Sequence, residues 1–267
     1  MALAVAGTSA VVLIFVIAGL ASDGGGTGPG VGLPDVITPT ATSQPDPTAS
    51  PADEQSPTSE PDPTSEPDPP TPGYGGGGVL LTCGDIMAPL NKQDALPADC
   101  EPNDLAPIPA DRTAYGTQYL RVAARDALLE LMEAAAQDGF DLYAVSAYRS
   151  YDGQVAAYNS NLAACGYDRA CADRISAHPG HSEHQLGTTV DVSSPGAGFG
   201  LETFVGTEDA AWVEANAWKF GFVVSYPAGT EHITGYAYEP WHLRWIGRAE
   251  AQRVHESGLT LHEYLAR

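Results

Sequence analysis

Residues 22–78 set the limit on what this 267-residue chain folds into. They carry nine acidic side chains and no Lys or Arg, thirteen of the chain's 22 prolines, and Tyr74 as their one aromatic. A segment of that composition cannot bury enough apolar surface to offset the entropy lost on ordering, so disorder is expected. The sequence PTSEPD stands twice in tandem, at Pro57–Asp62 and Pro63–Asp68, and Gly75–Gly78 closes the tract. Proline-rich, like-charged chain favours extended polyproline II at ~3.1 Å per residue. The segment therefore reads as a spacer reaching on the order of 100 Å.

Ahead of it, residues 1–21 carry no charge and two polar side chains, Thr8 and Ser9. About 20 apolar residues suffice for a membrane-spanning helix, and Gly19-Leu20-Ala21 offers small residues for signal cleavage. A signal peptide or an N-terminal membrane anchor is expected, and with it a place outside the cell or on the wall side of the membrane. Contact with a membrane is expected only through this segment. The net charge of −22 excludes nucleic acid as a partner, since no basic stripe offsets the repulsion of phosphate.

From Val79 onward the composition is that of a folded domain, and residues 79–267 are enough for one sizeable core. All four cysteines lie here: Cys83, Cys100, Cys165 and Cys171. An exported chain is expected to oxidise them, and short separations favour Cys83–Cys100 and Cys165–Cys171. The absence of a CxxC pair argues against a thiolate metal site.

Periodicity predicts a helix over Tyr119–Gln137 ended by Gly139, a strand over Leu142–Ala147, a helix over Asp152–Ala164 and a short strand over Thr188–Ser193. Thr207 with Glu208 and Asp209 reads as an N-cap and first-turn acids of a helix reaching Phe220. Strands follow at Phe222–Tyr226 and at Tyr236–Ile246, the latter interrupted by Pro240. Gly247–Ser257 and Leu259–Leu265 read as closing helices. The pattern is α+β: a single domain with a mostly antiparallel central sheet flanked by helices. It is expected to act as a monomer.

Three of the seven histidines crowd into the run His178-Pro179-Gly180-His181-Ser182-Glu183-His184. Asp191 follows, and Glu239-Pro240-Trp241-His242 comes about 50 residues on. Imidazole nitrogen and carboxylate oxygen suit zinc, and a catalytic zinc keeps a position open for water. Gly187 permits the tight turn that lets a loop histidine and a strand aspartate converge. Singly, each of these residues reads as an ordinary polar residue. The distant Glu-x-x-His changes that reading, because it supplies a third ligand and a base together. His181 is an alternative ligand, although His178 and His181 read better as hydrogen-bonding histidines of a pocket rim. Trp241 reads as core packing that braces His242.

The stretch Ser182-Glu183-His184-Gln185-Leu186-Gly187-Thr188-Thr189-Val190-Asp191 resembles the SxHxxGxAxD motif of zinc D-Ala-D-Ala peptidases of the VanY carboxypeptidase type. Glu239-Pro240-Trp241-His242 resembles their ExxH motif, and Ser146-Ala147-Tyr148-Arg149-Ser150 with Gln154 resembles their SxxRSxxxQ segment. The likeness covers about Ala114–Gly247. One departure is Thr189, where the motif has Ala.

The resemblance implies His184, Asp191 and His242 as zinc ligands and Glu239 as general base. Elementary chemistry reaches the same roles: bound zinc lowers the pKa of water towards ~7, and a nearby carboxylate takes the proton. Arg149 is the candidate to stabilise an oxyanion, or to hold the substrate's terminal carboxylate. Ser182, Gln154 and Tyr148 are candidate substrate contacts. The expected substrate is a peptidoglycan stem peptide losing its terminal D-alanine. An L,D-carboxypeptidase, a D,D-dipeptidase or an L-Ala-D-Glu endopeptidase would use the same core. A non-catalytic wall- or metal-binding module is the rival of another class, and the presence of Glu239 argues against it. A hedgehog-like signalling domain shares the ligands but has no further sequence feature in its favour.

Overall fold

Leu120 fits both a helical and an alternating pattern, and the computed structural model, which describes residues 78–267, resolves the ambiguity as strand. The apolar segment 1–21 and the spacer up to residue 77 lie outside the described residues. Strand β1 (Leu105–Pro107) pairs antiparallel with β2 (Tyr119–Arg121), Ala106 opposite Leu120. Helix α1 (Val122–Gln137) therefore starts three residues later than its periodicity predicts. A window on the sequence alone misses this, because the pairing partner lies outside it. Ala124, Ala127, Leu128, Leu131 and Ala135 are all buried as the helical spacing requires, and Gly139 ends the turn at φ +92°.

Strand β3 (Tyr143–Ser146) leads to helix α2 (Tyr151–Ala164), N-capped by the Ser150 hydroxyl. Helix α3 (Arg169–Ile175) follows, which the periodicity did not announce; its signal is Asp168, whose carboxylate accepts from the backbone N–H groups of Ala170 and Cys171. Strand β4 (Thr189–Ser193) is buried throughout. Helix α4 (Glu208–Asn216) is capped by Thr207 as predicted but gives way to a 3₁₀ turn over Ala217–Phe220. Strand β5 (Phe222–Val224), the short helix α5 (Glu231–Thr234) and strand β6 (His242–Trp245) come next. Only His242–Trp245 of the predicted Tyr236–Ile246 strand is strand. Pro240 has no N–H to give a ladder, and the N–H of Glu239 turns back to Tyr226 O instead. Helices α6 (Arg248–Ser257) and α7 (Leu261–Leu265) close the domain, the latter with a Thr260–Glu263 capping box.

The central sheet has the order β3-β4-β6-β5, antiparallel at each pairing. Alternation decides its two faces. Val190, Val192 and Leu243 point into the main core with Leu120, Leu128, Leu131, Phe204 and Phe222 of the surrounding elements. Asp191 and His242 sit directly opposite each other on neighbouring strands, as do Asp191 and Ser146. A register shift between Ala144 and Ser146 interrupts β3 at Val145, and a bulge of this kind re-aims side chains. Val145 and Ser146 both line a cleft that Asp191 and His242 share.

Both predicted disulfides are present, Cys83–Cys100 and Cys165–Cys171. The first closes an arm, residues 79–101, that the sequence left without structure. Ala88, Leu90, Leu96 and Cys100 of this arm form a small core of their own with Leu186.

Thr189 is fully buried and its hydroxyl finds no hydrogen-bond partner. An unsatisfied buried hydroxyl costs about 1–3 kcal/mol. Thr189→Val keeps the shape without the hydroxyl and is expected to raise the stability of the metal-free chain by about 1 kcal/mol or more, read from urea unfolding. An unchanged or lowered midpoint would show that the hydroxyl is satisfied in solution.

Candidate active site

The cluster forms where three backbone devices meet. A 3₁₀ turn over Glu183–Leu186 presents His184 and ends at Gly187 (φ +69°), whose missing side chain also makes room for Leu105, Pro102 and Arg121. β4 presents Asp191 and β6 presents His242. His184 Nε2 lies 3.2 Å from Asp191 Oδ2, and His242 Nδ1 lies 3.1 Å from Asp191 Oδ1. Donor atoms of the three residues all lie within 4.8 Å of one another, and all three side chains are buried.

The donor set fits zinc. Tetrahedral ligands at about 2.0–2.1 Å stand about 3.3 Å from one another, close to the two separations above. Each imidazole is also fixed in the tautomer that a metal needs. His184 Nδ1–H donates to Ala147 O at 2.7 Å and His242 Nε2–H to Glu183 Oε2 at 3.0 Å. His184 Nε2, and His242 Nδ1 once its proton is displaced, then turn their lone pairs to the cluster. Partners of this kind orient metal-binding histidines and raise their basicity.

The electrostatics favour a cation. Burial would raise the carboxyl of Asp191, but His184 and His242 hold it well below the usual range. Burial likewise works against Glu183, and Arg244 with His242 keeps it ionised. Burial works against charge on His242 too, yet the carboxylates of Asp191 and Glu183 outweigh it and push the imidazole up to about 10. Asp191 thus stays ionised between the two imidazoles, and a metal that binds there displaces the proton of His242.

Glu239 Oε2 lies 3.7 Å from His242 Nδ1, beside the cluster and not within its ligand set. Burial, with Asp191 and Glu183 nearby, pushes its carboxyl up to about 8 against the pull of His242 and Arg149. A dication at the cluster acts in the opposite sense and returns the group to its ionised form.

These residues line an open cleft of about 300 Å³. Arg149 stands in its wall and is the one Lys or Arg among the described lining residues. Its Nη1 donates to Gln154 Oε1 and its Nη2 to Ser146 Oγ, each at 2.8 Å. Two of five N–H groups are so fixed, and three remain to grip an oxyanion or a carboxylate. Ser182 lines the cleft. Gln154 does as well, but its carbonyl is given to Arg149 and its amide donates to Ala177 O at 2.7 Å. It positions Arg149 more directly than it contacts a substrate. Tyr148 is not among the lining residues; its backbone N–H pairs with Tyr119 O. His178 pairs with Asp173 at 2.7 Å and His181 with Asn91 O at 2.9 Å, so neither joins the cluster. Trp241 is core packing that also reaches the cleft wall.

The sequence reading missed Glu183, Arg244 and Ser225. Ser225 Oγ donates to Glu183 Oε2 at 2.6 Å, and Arg244 Nη1 donates to Glu183 Oε1 at 2.8 Å. Period two was the available signal: Arg244 stands two residues after His242 on a strand and so shares its face.

Comparison with known proteins agrees with this geometry. Residues 117–248 match the family model described as VanY: D-alanyl-D-alanine carboxypeptidase. A putative carboxypeptidase YodJ of Bacillus subtilis (strain 168) is 43% identical over 185 residues, 67% of this chain and 67% of that protein. A D-alanyl-D-alanine carboxypeptidase of Enterococcus faecalis (strain ATCC 700802 / V583) is 31% identical, over 66% of this chain and 64% of its own length. The chain thus spans about two thirds of these curated relatives. Among solved structures, the LdcB LD-carboxypeptidase is 41% identical with a TM-score of 0.64, covering 70% of this chain and 89% of that one. VanYB in complex with D-alanine-D-alanine is 32% identical with a TM-score of 0.56, covering 66% and 95%.

Proposed function

The chain belongs to the VanY family of D-alanyl-D-alanine carboxypeptidases, and from that premise we propose that it is a zinc-dependent peptidase releasing the terminal D-alanine of peptidoglycan stem peptides. The observation that carries this reading is the convergence of His184, Asp191 and His242 in one buried cluster, with Glu239 beside it and Arg149 in the same cleft.

His184, Asp191 and His242 would hold the zinc, which would supply a Lewis acid for the scissile carbonyl and for water. The protein does the rest. Glu239 accepts the proton of the water whose oxygen bonds to the carbonyl carbon, and it returns that proton to the nitrogen as the C–N bond breaks. Arg149, locked by Gln154 and Ser146, presents its free N–H groups either to the developing oxyanion or to the terminal carboxylate. A carboxypeptidase must recognise that carboxylate, and Arg149 is the charge in this cleft suited to it. Ser182 is a further candidate contact. Two closed disulfides support export to an oxidising compartment, where this substrate lies.

A second reading has an observation of its own: the 41% identity to an LD-carboxypeptidase favours cleavage of a tetrapeptide at its single terminal D-alanine. A panel of pentapeptide ending in D-Ala-D-Ala, tetrapeptide ending in one D-Ala, and free D-Ala-D-Ala decides between them, with products read by mass spectrometry. Loss of one alanine from the pentapeptide, faster than from the tetrapeptide, is the expected result. A faster tetrapeptide reaction selects the second reading, and no release from any of the three would overturn both.

A further inference from the structure

Arg244 is fully buried and three hydrogen bonds leave its guanidinium. Nη1 goes to Glu183 Oε1 at 2.8 Å, and Nη2 goes to Ala88 O at 2.7 Å and to Ile86 O at 2.9 Å. Ile86 and Ala88 belong to the arm closed by Cys83–Cys100, upstream of the segment matched by the family model. On the other side, Glu183 holds His242 Nε2. One unbroken chain of contacts thus runs from the arm's backbone through Arg244 and Glu183 to a ligand of the cluster.

The arm grips the turn that carries the other histidine as well. Leu96 N–H donates to Gly180 O at 2.8 Å, and the Gln185 amide donates to Pro97 O at 2.8 Å. Asn91 O pairs with His181 at 2.9 Å. Leu186 packs among Ala88, Leu90 and Leu96. Leu90, Asn91, Leu96 and Pro97 of the arm therefore touch the Gly180–Leu186 segment, while Ile86 and Ala88 hold Arg244.

We propose that Arg244 is a positioning residue of the metal centre, and that through it the disulfide-closed arm sets the affinity of the site for zinc and the rate of the reaction. A buried ion pair is weak evidence of stability, because desolvation of both charges offsets their attraction. Its use here is geometric. A guanidinium fork reaches one carboxylate and two carbonyls at fixed angles, which a lysine ammonium cannot reproduce. The role rests on the zinc reading above but not on which stem peptide is cut.

The test uses the full chain with Arg244→Lys, with Cys83→Ser/Cys100→Ser, and with both together. Zinc affinity is measured by competition with a chromophoric chelator, alongside kcat and KM. Arg244→Lys is expected to weaken zinc binding about 10–100-fold, the range seen for partners of metal-binding histidines, and to lower kcat with KM little changed. The cysteine variant should move both quantities the same way. The combined variant should fall short of the product of the two, since both act along one path. Ser225→Ala, which removes one hydrogen bond to Glu183 and little packing, guards against misfolding of the others and should weaken zinc severalfold. Zinc affinity within twofold of the unaltered chain in folded Arg244→Lys or in Ser225→Ala would overturn the proposal. So would full multiplication of effects in the combined variant. Affinity of the unaltered chain reports on the zinc reading itself, while differences among variants report on this inference.

Discussion

Glu239→Ala lowers kcat by about 10²–10⁴-fold, the usual worth of a positioned general base, while the protein keeps one zinc per chain. The expectation follows from where the carboxylate stands. It lies 3.7 Å from His242 Nδ1, close enough to act on water at the cluster, yet the two histidines and Asp191 form the donor set without it. Removing it takes away the proton acceptor and leaves the ligands in place. Glu239→Gln should lose nearly as much, because an amide of the same shape cannot take the proton. Metal analysis beside steady-state kinetics separates the outcomes: retained hydrolysis with zinc bound contradicts the mechanism, and loss of zinc makes Glu239 a ligand.

Asp191→Ala is the second large effect, and it acts on the metal instead. The carboxylate spans the two imidazoles, one oxygen 3.2 Å from His184 and the other 3.1 Å from His242. Its loss removes both a ligand and the negative charge that draws a cation to a buried site. Zinc affinity should fall by more than the 10–100-fold typical of an outer partner, and activity at limiting zinc should fall with it. Excess zinc should restore little, because two nitrogens alone define no tetrahedral site. Equilibrium dialysis against buffered zinc checks this; near-normal binding would mean that the metal sits elsewhere.

Much of this architecture is legible in the residues because its signals are local. The α1 stripe from Ala124 to Ala135, the Thr207 cap, the Gly187 turn and the two short-range disulfides each declare themselves within a few positions. The cluster is legible because motif and chemistry agree on His184, Asp191 and His242. What the sequence hides is pairing across distance. Leu120 belongs to a strand only because Ala106 stands opposite it. Arg244 reads as a stray charge in an apolar strand until the carbonyls of Ile86 and Ala88, some 150 residues away, come to meet it. Gln154 and Tyr148 share a motif with Arg149, but spacing does not say which way each side chain points. The structure turns Gln154 onto Arg149 and leaves Tyr148 out of the cleft lining.

The most direct test of the central claim is a titration of the metal-free chain with zinc, following release of D-alanine from a D-Ala-D-Ala pentapeptide. The account predicts activity that rises linearly and breaks sharply at one equivalent per chain, with the His184→Ala protein silent throughout. Hydrolysis by the metal-free chain, or activity indifferent to loss of His184, would contradict it.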